Sequence, residues 1–242
     1  METVSNNLEY IQEQIKIIFS NHDKIISSNT EKKINEVIKE RIGKKILIST
    51  IIRRYKDLNN KINIIDGLIY QKIIETEDSE SIDELILNLP LGIINLEKST
   101  KIDYQPLQNL LINKHFQEAD KLTQKYLCKI VEKQTNKEKN WLYFTDIQYI
   151  ETNELWQIDL LWQIYSKGKF GFSVQKDIWV KNNRKWDKLW EKINWLENKT
   201  GMMRRYPTEF NWTIEAPIGH LPLFNQLRGT QTLYYLFKKI DW

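Results

Sequence analysis

Apolar residues recur at spacings of three and four through most of the chain, the repeat of amphipathic helices rather than of strands. Leu8, Ile11, Ile15 and Ile18 form the first stripe, with Ser5 or Asn6 available as its cap. A second stripe runs through Ile34, Ile38 and Ile42 after Asn29-Thr30. A third follows Gly43 through Ile48, Ile51, Ile52, Tyr55 and Leu58, and a fourth comprises Ile65, Leu68, Ile69 and Ile73. Ser81-x-x-Glu84 has the form of a capping box opening a short fifth helix through Leu89. Residues 6–89 therefore read as five short helices packed pairwise into a bundle, with no repeat of fixed period and no chemical site.

In LPLGIINLEKSTKIDYQP, Pro90 and Gly92 stop one helix and Pro106 opens another. Beyond it, Leu107, Leu110 and Leu111 precede a longer stripe of Phe116, Ala119, Thr123, Tyr126, Leu127 and Ile130. Thr145-x-x-Gln148 suits the start of a further turn. Leu155, Ile158, Leu161, Trp162 and Tyr165 mark another helix, which Gly168 ends in the left-handed conformation. Trp186, Leu189, Trp190 and Ile193 make one more apolar face, and the final QTLYYLFKKIDW fits a helix. Strand-like alternation is confined to short stretches such as EFNWTIEAP. The expectation is an all-α chain, with a helical bundle over 1–95 and a second helical domain over 101–242.

Composition sharpens this division. Of 242 residues, 41% are hydrophobic and 12% aromatic, ample for packed cores. All nine tryptophans lie at or beyond Trp141, whereas 23 of the 35 isoleucines lie in the first hundred residues. Residues 1–100 carry 14 basic and 16 acidic side chains, and residues 101–242 carry 22 and 16. A net charge of +4 spread among 28% charged residues fits an ordinary surface better than a nucleic-acid-coating tail. No apolar run approaches the roughly 20 residues that span a bilayer, and METVSNNLEYIQEQ lacks the basic and apolar blocks of a signal peptide. The one cysteine, Cys128, excludes an internal disulfide and reads as a small core residue. The excess of Ile, Asn and Lys, with only 2 Ala, points to an AT-rich genome.

Only 8 glycines are present, yet Gly168 and Gly171 fall together in KGKFGFSVQ. A phosphate loop requires a glycine-rich turn between strand and helix, followed by Lys-Ser/Thr. Here the preceding residues are helical and that pair is missing. The glycines are expected to turn the chain while Phe170, Phe172 and Val174 anchor it in the core, with Ser173 capping the helix from Gln175 to Lys181. No nucleophile beside a base, carboxylate pair or metal-ligand spacing stands out, so the chain is not expected to be an enzyme.

IDLLWQIYSKGKFGFSVQKDIW, residues 158–179, resembles the signature of the genomes-uncoupled four family of tetrapyrrole-binding regulators. YQPLQNLLINKHFQEADKLTQKYL, with Ala119, Asp120 and Thr123, is similar to that family's opening helix pair, and APIGHLP to its late Gly-His-Leu-Pro motif. The resemblance spans about residues 104–240. It implies an all-helical cupped-hand core preceded by a separate helical bundle. It further implies binding of protoporphyrin and Mg-protoporphyrin as ligands, with no cofactor required. The implied partner is the large porphyrin-binding subunit of magnesium chelatase, stimulated during chlorophyll biosynthesis. Relatives commonly have Val-Gly-Trp where this chain has Ile193-Asn194-Trp195.

A porphyrin is a flat apolar plate with two propionates on one edge, so its host needs a broad hydrophobic cleft and cations at the rim. NWLENKTGMMRRYPTEFNW offers both. In this reading Trp195 and Leu196 face the plate with Phe210 nearby, Met202 and Met203 adapt to it, and Arg204 or Arg205 pairs with a propionate. Trp141, Leu142 and Phe144 supply a facing loop. His220 is a candidate ligand for a metalloporphyrin, Leu221 and Pro222 complete the late motif, and Arg228 is a further candidate for a propionate. The competing reading makes the tryptophans core and the arginines solvated. In it His220 is a turn histidine bonded to backbone, and Asp159 is a hydrogen-bonding residue rather than an acid catalyst. Two other functions stand beside porphyrin binding: a helical protein-interaction or signalling module without bound porphyrin, and a nucleic-acid platform, which the interspersed acids disfavour. The composition and resemblance together suggest a plastid-encoded algal protein of the stroma, with peripheral membrane association open and a cyanobacterial cytoplasm as the alternative.

Overall fold

The structure, a computed structural model, describes residues 2–57, 62–96, 102–197, 201–223 and 230–242, with backbone alone for residues 2–7. Among these residues all regular secondary structure is helical, eleven α-helices and one 3-10 helix, apart from a single bridge between Leu196 and Met203. The chain divides into two compact units, Met1–Asn95 and Leu96–Trp242.

The first unit contains α1 (Glu2–Phe19), α2 (Ser28–Lys39), α3 (Arg41–Lys56), α4 (Ile64–Ile74) and α5 (Ser79–Asn88). Helix α3 is the hub, packing against the other four. Ile11, Ile15, Ile18, Ile34, Leu47, Ile48, Ile51, Ile65, Leu68, Ile69 and Ile73 fill the interior, matching the stripes, whereas Leu8 is exposed near the start of α1. Leu58 lies outside the described residues. Ile42 departs from its stripe and is exposed, because the extended backbone of Glu40 separates α2 from α3 and puts Ile42 in a new first turn. A Cβ at Gly43 would lie 2.3 Å from the Val37 carbonyl oxygen, so the close junction of α2 and α3 requires glycine.

Caps differ from those expected. Ser5 and Asn6 lie within α1 rather than ahead of it. Ser27 caps α2 by accepting from the Thr30 N–H. Asp78 caps α5, accepting from the N–H and hydroxyl of Ser81, so Ser81 and Glu84 sit inside the helix. The Lys44 ammonium at 2.6 Å, aided by Ser81, holds the Asp78 carboxyl down at about 2. Asn63 and Asp66 form a capping box at α4, and the fully buried Asp66 also receives both Nε and Nη2 of Arg54, at 2.7 and 3.0 Å. Pairing plus hydrogen bonding is what makes such a buried charge tolerable.

The second unit contains α6 (Gln105–Ile112), α7 (Phe116–Thr135), the 3-10 helix Phe144–Tyr149, α8 (Thr152–Ile164), α9 (Phe172–Lys181), α10 (Trp186–Lys192) and α11 (Thr230–Lys239). Helix α6 packs on α7 and α8, and α11 on the 3-10 helix and α9. Phe116, Trp162 and Phe170 pack as fully buried aromatic neighbours, and the Trp162 indole donates to the Thr123 hydroxyl at 3.0 Å. A second aromatic series stacks Trp179 on Trp186, Trp186 on Trp190 and Trp190 on Trp195, with centroids 4.8, 5.4 and 5.1 Å apart. At the 3-10 helix the first acceptor is Asp146, which takes the Tyr143 N–H, rather than Thr145.

Between α8 and α9 the chain turns as expected at Gly168, whose N–H donates to the Gln163 carbonyl, and Phe170 and Phe172 are fully buried. Ser173 is not the cap. Gly171 opens α9 without a side chain, and Asp159 of α8 supplies the missing acceptor, taking the Ser173 N–H at 3.0 Å. Asp159 also accepts from Gln163 at 2.7 Å and from the Trp242 indole at 2.9 Å. The segment EFNWTIEAP is turns and coil, not strand. After it, residues 219–223 are sewn into the unit. The Gly171 N–H donates to Leu221 O, the Gln175 amide to Gly219 O and Pro222 O, and the Leu223 N–H to Asp120.

Candidate functional site

Helix α7 has two faces. Phe116, Ala119, Asp120, Thr123, Tyr126, Leu127 and Ile130 are buried, and the opposite side carries Lys121, Gln124, Lys125, Cys128, Lys129 and Glu132. That second face forms the floor of a cleft of about 800 Å³, walled by Lys139, Asn140, Trp141 and Leu142 on one side and by Tyr206 on another. The volume lies within the range of about 300–1,000 Å³ usual for clefts that hold organic ligands.

The wall is built by local hydrogen bonds. Asn136 ends α7 in the left-handed conformation, which asparagine tolerates better than other residues with side chains. Glu132 then accepts the Lys139 N–H at 2.8 Å, and the Lys139 ammonium pairs with Asp146 at 2.8 Å. These ties tether the connecting loop to α7 and to the 3-10 helix, leaving Trp141 exposed at the rim with Leu142 buried beneath it. Opposite, Tyr206 stands half exposed, its ring edge-on to Trp212 at 6.0 Å.

Electrostatically the floor is basic. Lys121, Lys125 and Lys129 recur every fourth residue, so their stems emerge in a row about 6 Å apart. Their aliphatic portions offer apolar surface while the ammonium groups reach outward. Cys128 lies half-buried among them. Desolvation, reinforced by Glu132, pushes its thiol up to about 11, which keeps it protonated and unreactive. An aromatic rim, apolar stems and a row of cations form a donor set suited to a flat apolar anion.

The sequence-assigned residues separate into three groups. Trp141 and Leu142 line the cleft. Leu196, Met202, Met203, Arg204 and Arg205 lie on or beside the paired segments that lead to Tyr206, where the Glu197 N–H donates to Met202 O and the Arg204 N–H to Trp195 O. Met202 and Arg205 are exposed there. Trp195, Phe210, His220, Leu221 and Pro222 are enclosed. Trp195, read as a wall facing the ligand, is instead fully buried, stacked on Trp190 and donating its indole N–H to His220 O at 2.8 Å. His220 has neither nitrogen available for a metal: Nδ1 donates to Ile193 O at 2.6 Å and Nε2 accepts from the Asn211 N–H at 3.1 Å. Burial lowers its pKa, consistent with a neutral ring bonded to backbone. Phe144 turns to α11 and stacks on Tyr235 at 5.6 Å. Arg228 lies outside the described residues.

Arg204 differs from expectation as well. Its guanidinium donates to the carbonyl oxygens of Asn194 and Glu209 and to the Asn194 side chain. The lysine row, Gln124 and Tyr206 were not anticipated. The four-residue spacing of the lysines, on the face opposite the apolar stripe, is visible in the sequence but does not by itself separate a cleft floor from a solvated face.

Comparison with known proteins bears on the whole chain. A GUN4-like family model matches residues 97–240. A ycf53 protein of Porphyra purpurea is 40% identical over 245 aligned positions, covering 100% of this chain and 94% of the relative. The chloroplastic tetrapyrrole-binding protein of Arabidopsis thaliana is 36% identical over 137 positions, covering 54% of this chain and 51% of its own length. The solved structure of GUN4 from Chlamydomonas reinhardtii superposes with a TM-score of 0.53 at 37% identity, covering 60% of this chain and 91% of that one. With the family match falling inside the helical second unit and a relative aligned along all of this chain, this chain belongs to the GUN4-like family.

Proposed function

We propose that this protein binds a tetrapyrrole, protoporphyrin or its magnesium form, in the cleft over α7, and that the bound state stimulates magnesium chelatase through its large porphyrin-binding subunit. The observation that carries the reading is the cleft itself: a row of lysines on its floor and the exposed rings of Trp141 and Tyr206 at its rim. The rings and lysine stems supply apolar contact for the plate. Neighbouring ammonium groups, one helical turn apart, take the propionates by charge-assisted hydrogen bonds. The carboxylates remain at the solvent edge, where their desolvation costs little. This is binding and delivery rather than catalysis, with the bundle of α1 to α5 as a separate partner-docking or stabilising module. Membership of the family and the name of the Arabidopsis relative support the ligand class and a chloroplast setting. We place the protein in the plastid stroma, in part at membrane surfaces. Among the described residues no helix is long and apolar enough to cross a membrane.

The test is titration of the purified protein with protoporphyrin, following the Soret band and tryptophan emission, beside a Lys125→Gln/Lys129→Gln variant. Saturable one-to-one binding that weakens at least tenfold in the variant is expected, the loss of about 1.5–3 kcal/mol from a charged hydrogen bond. Absence of saturable change in the folded parent would refute ligand binding and favour the interaction-module reading. Association with the chelatase subunit is measured separately by calorimetry, with and without porphyrin; no heat in either case removes the partner.

A further inference from the structure

Asn194 and Arg204 stand at the base of the paired segments beside the cleft, and their geometry is unusual in two respects. Asn194 has φ +58°, the left-handed region in which glycine is at ease and asparagine is among the few alternatives. Glycine would satisfy the backbone equally well but could not do what the side chain does. Asn194 Oδ1 accepts from Arg204 Nη2 at 3.1 Å, and its carbonyl oxygen accepts from Arg204 Nε at the same distance. The third nitrogen, Nη1, donates to Glu209 O at 3.3 Å. All three guanidinium nitrogens are thereby engaged by neutral acceptors, and among the described residues no ion pair is made by this arginine.

Arg204 thus ties Asn194 to Glu209, and the described residues 195–197 and 201–208 lie between the two. Its backbone N–H also donates to Trp195 O at 2.8 Å, and the Glu209 carboxylate takes the Arg205 N–H at 2.7 Å. Tyr206, a wall of the cleft, lies between these ties. His220 fixes the residues just outside these ties, bonding Ile193 and Asn211. We propose that Asn194 and Arg204 form a latch that holds this segment beside the cleft and withholds Arg204 from a ligand's carboxylates. The latch is a property of the unliganded fold. Its effect on ligand exchange rests on the tetrapyrrole reading above.

Amide hydrogen exchange and ligand kinetics test the two parts separately. Asn194→Gly keeps the left-handed backbone and removes the acceptor. Arg204→Gln removes the donor, and Asn194→Asp restores an acceptor with added charge. Opening of the segment, read at the N–H groups of Glu197, Arg204 and Arg205, should rise roughly tenfold in Asn194→Gly, the worth of one hydrogen bond to a charged group. Arg204→Gln should do the same, the double variant should add little, and Asn194→Asp should match or slow the parent. The amides of Ile193 and Trp195, bonded to Leu189 O and Trp190 O of α10, serve as the control and, corrected for intrinsic rates, should not move. Exchange unchanged in Asn194→Gly, or raised equally at the control amides, overturns the latch.

Stopped-flow binding then uses protoporphyrin and its dimethyl ester. The latch predicts that both ligands enter and leave faster in Asn194→Gly, with their ratio of affinities preserved in Arg204→Gln. If Arg204→Gln weakens the diacid and spares the diester, Arg204 contacts the carboxylates and its withholding is refuted. If neither probe binds the parent, the tetrapyrrole reading fails, while hydrogen exchange still decides whether the latch exists.

Discussion

Replacing Asp159 by alanine should destabilise the second unit by about 3–4 kcal/mol, although the residue touches no surface where a ligand could sit. The carboxylate is fully buried and receives three donors: the Ser173 N–H, the Gln163 amide and the Trp242 indole. Hydrogen bonds to charged groups are each worth about 1.5–3 kcal/mol, but the three losses are unequal. Gln163 and Trp242 are partly exposed and can turn to water, so they contribute little more than the lower figure between them. Ser173 cannot turn: its N–H belongs to the first turn of α9, opened by a glycine with no side chain to replace the lost acceptor. An orphaned buried amide costs about 1–3 kcal/mol. The assay is urea denaturation followed by far-ultraviolet circular dichroism, comparing midpoints at constant slope for the parent, Asp159→Ala and Asp159→Asn. Asparagine retains one acceptor oxygen and should lose about half as much. A loss below about 1 kcal/mol in the alanine variant would refute the assignment of Asp159 as the cap of α9.

Three further outcomes follow from burial and backbone geometry. Burial pushes the Asp120 carboxyl up to about 8, against the opposing effects of the Leu223 N–H and Lys121. A carboxyl with a higher pKa folded than unfolded contributes stability that is whole below about pH 4 and is lost as pH rises from there through about 8. Asp120→Asn keeps an oxygen for Leu223 and should flatten the fall in urea midpoint between those limits, so parallel profiles would exclude this titration. Gly219 has φ +79°, and a Cβ there would lie 2.7 Å from Ile178 Cδ1 and 2.9 Å from Ile193 Cγ2. Gly219→Ala should cost about 2–4 kcal/mol from the positive φ and overpacking together; a thermal midpoint within a degree of the parent would contradict this. Trp195→Phe deletes the indole bond to His220 O and should reduce stability by about 1–2 kcal/mol while leaving porphyrin affinity nearly unchanged, whereas a large affinity loss at unchanged stability would make Trp195 a ligand wall after all.

The helices were legible because burial imposes a period on the chain. Ile34 and Ile38, or Ile65, Leu68, Ile69 and Ile73, announce a buried face whatever they pack against. Helix beginnings were less legible. Ser81 and Ser173 have favourable cap chemistry, yet Asp78 and the distant Asp159 do the capping, because position relative to the first turn decides and one of the partners comes from another helix. His220 was readable as a backbone-bonded turn residue because Gly219 and Pro222 constrain its surroundings. The cations were not. A lysine row facing solvent and one facing a cleft have the same pattern, and only the placement of Trp141 and Tyr206 across α7 distinguishes them. Adjacent arginines beside methionines suggested a propionate site, but the side chain of Asn194 claims Arg204 through a left-handed backbone position that no periodicity reveals.

The stacked tryptophans from Trp179 to Trp195 have an optical consequence. Rings with centroids 4.8 to 5.4 Å apart, inclined by no more than 29°, are not four separate lamps. Excitation absorbed at the α9 end can migrate from rung to rung until it is emitted or drained. A chromophore that reaches one end therefore darkens the whole series, including indoles it never approaches. Substituting Trp190 by phenylalanine would remove the third indole, leaving the Trp179–Trp186 pair and Trp195 without direct ring contact between them.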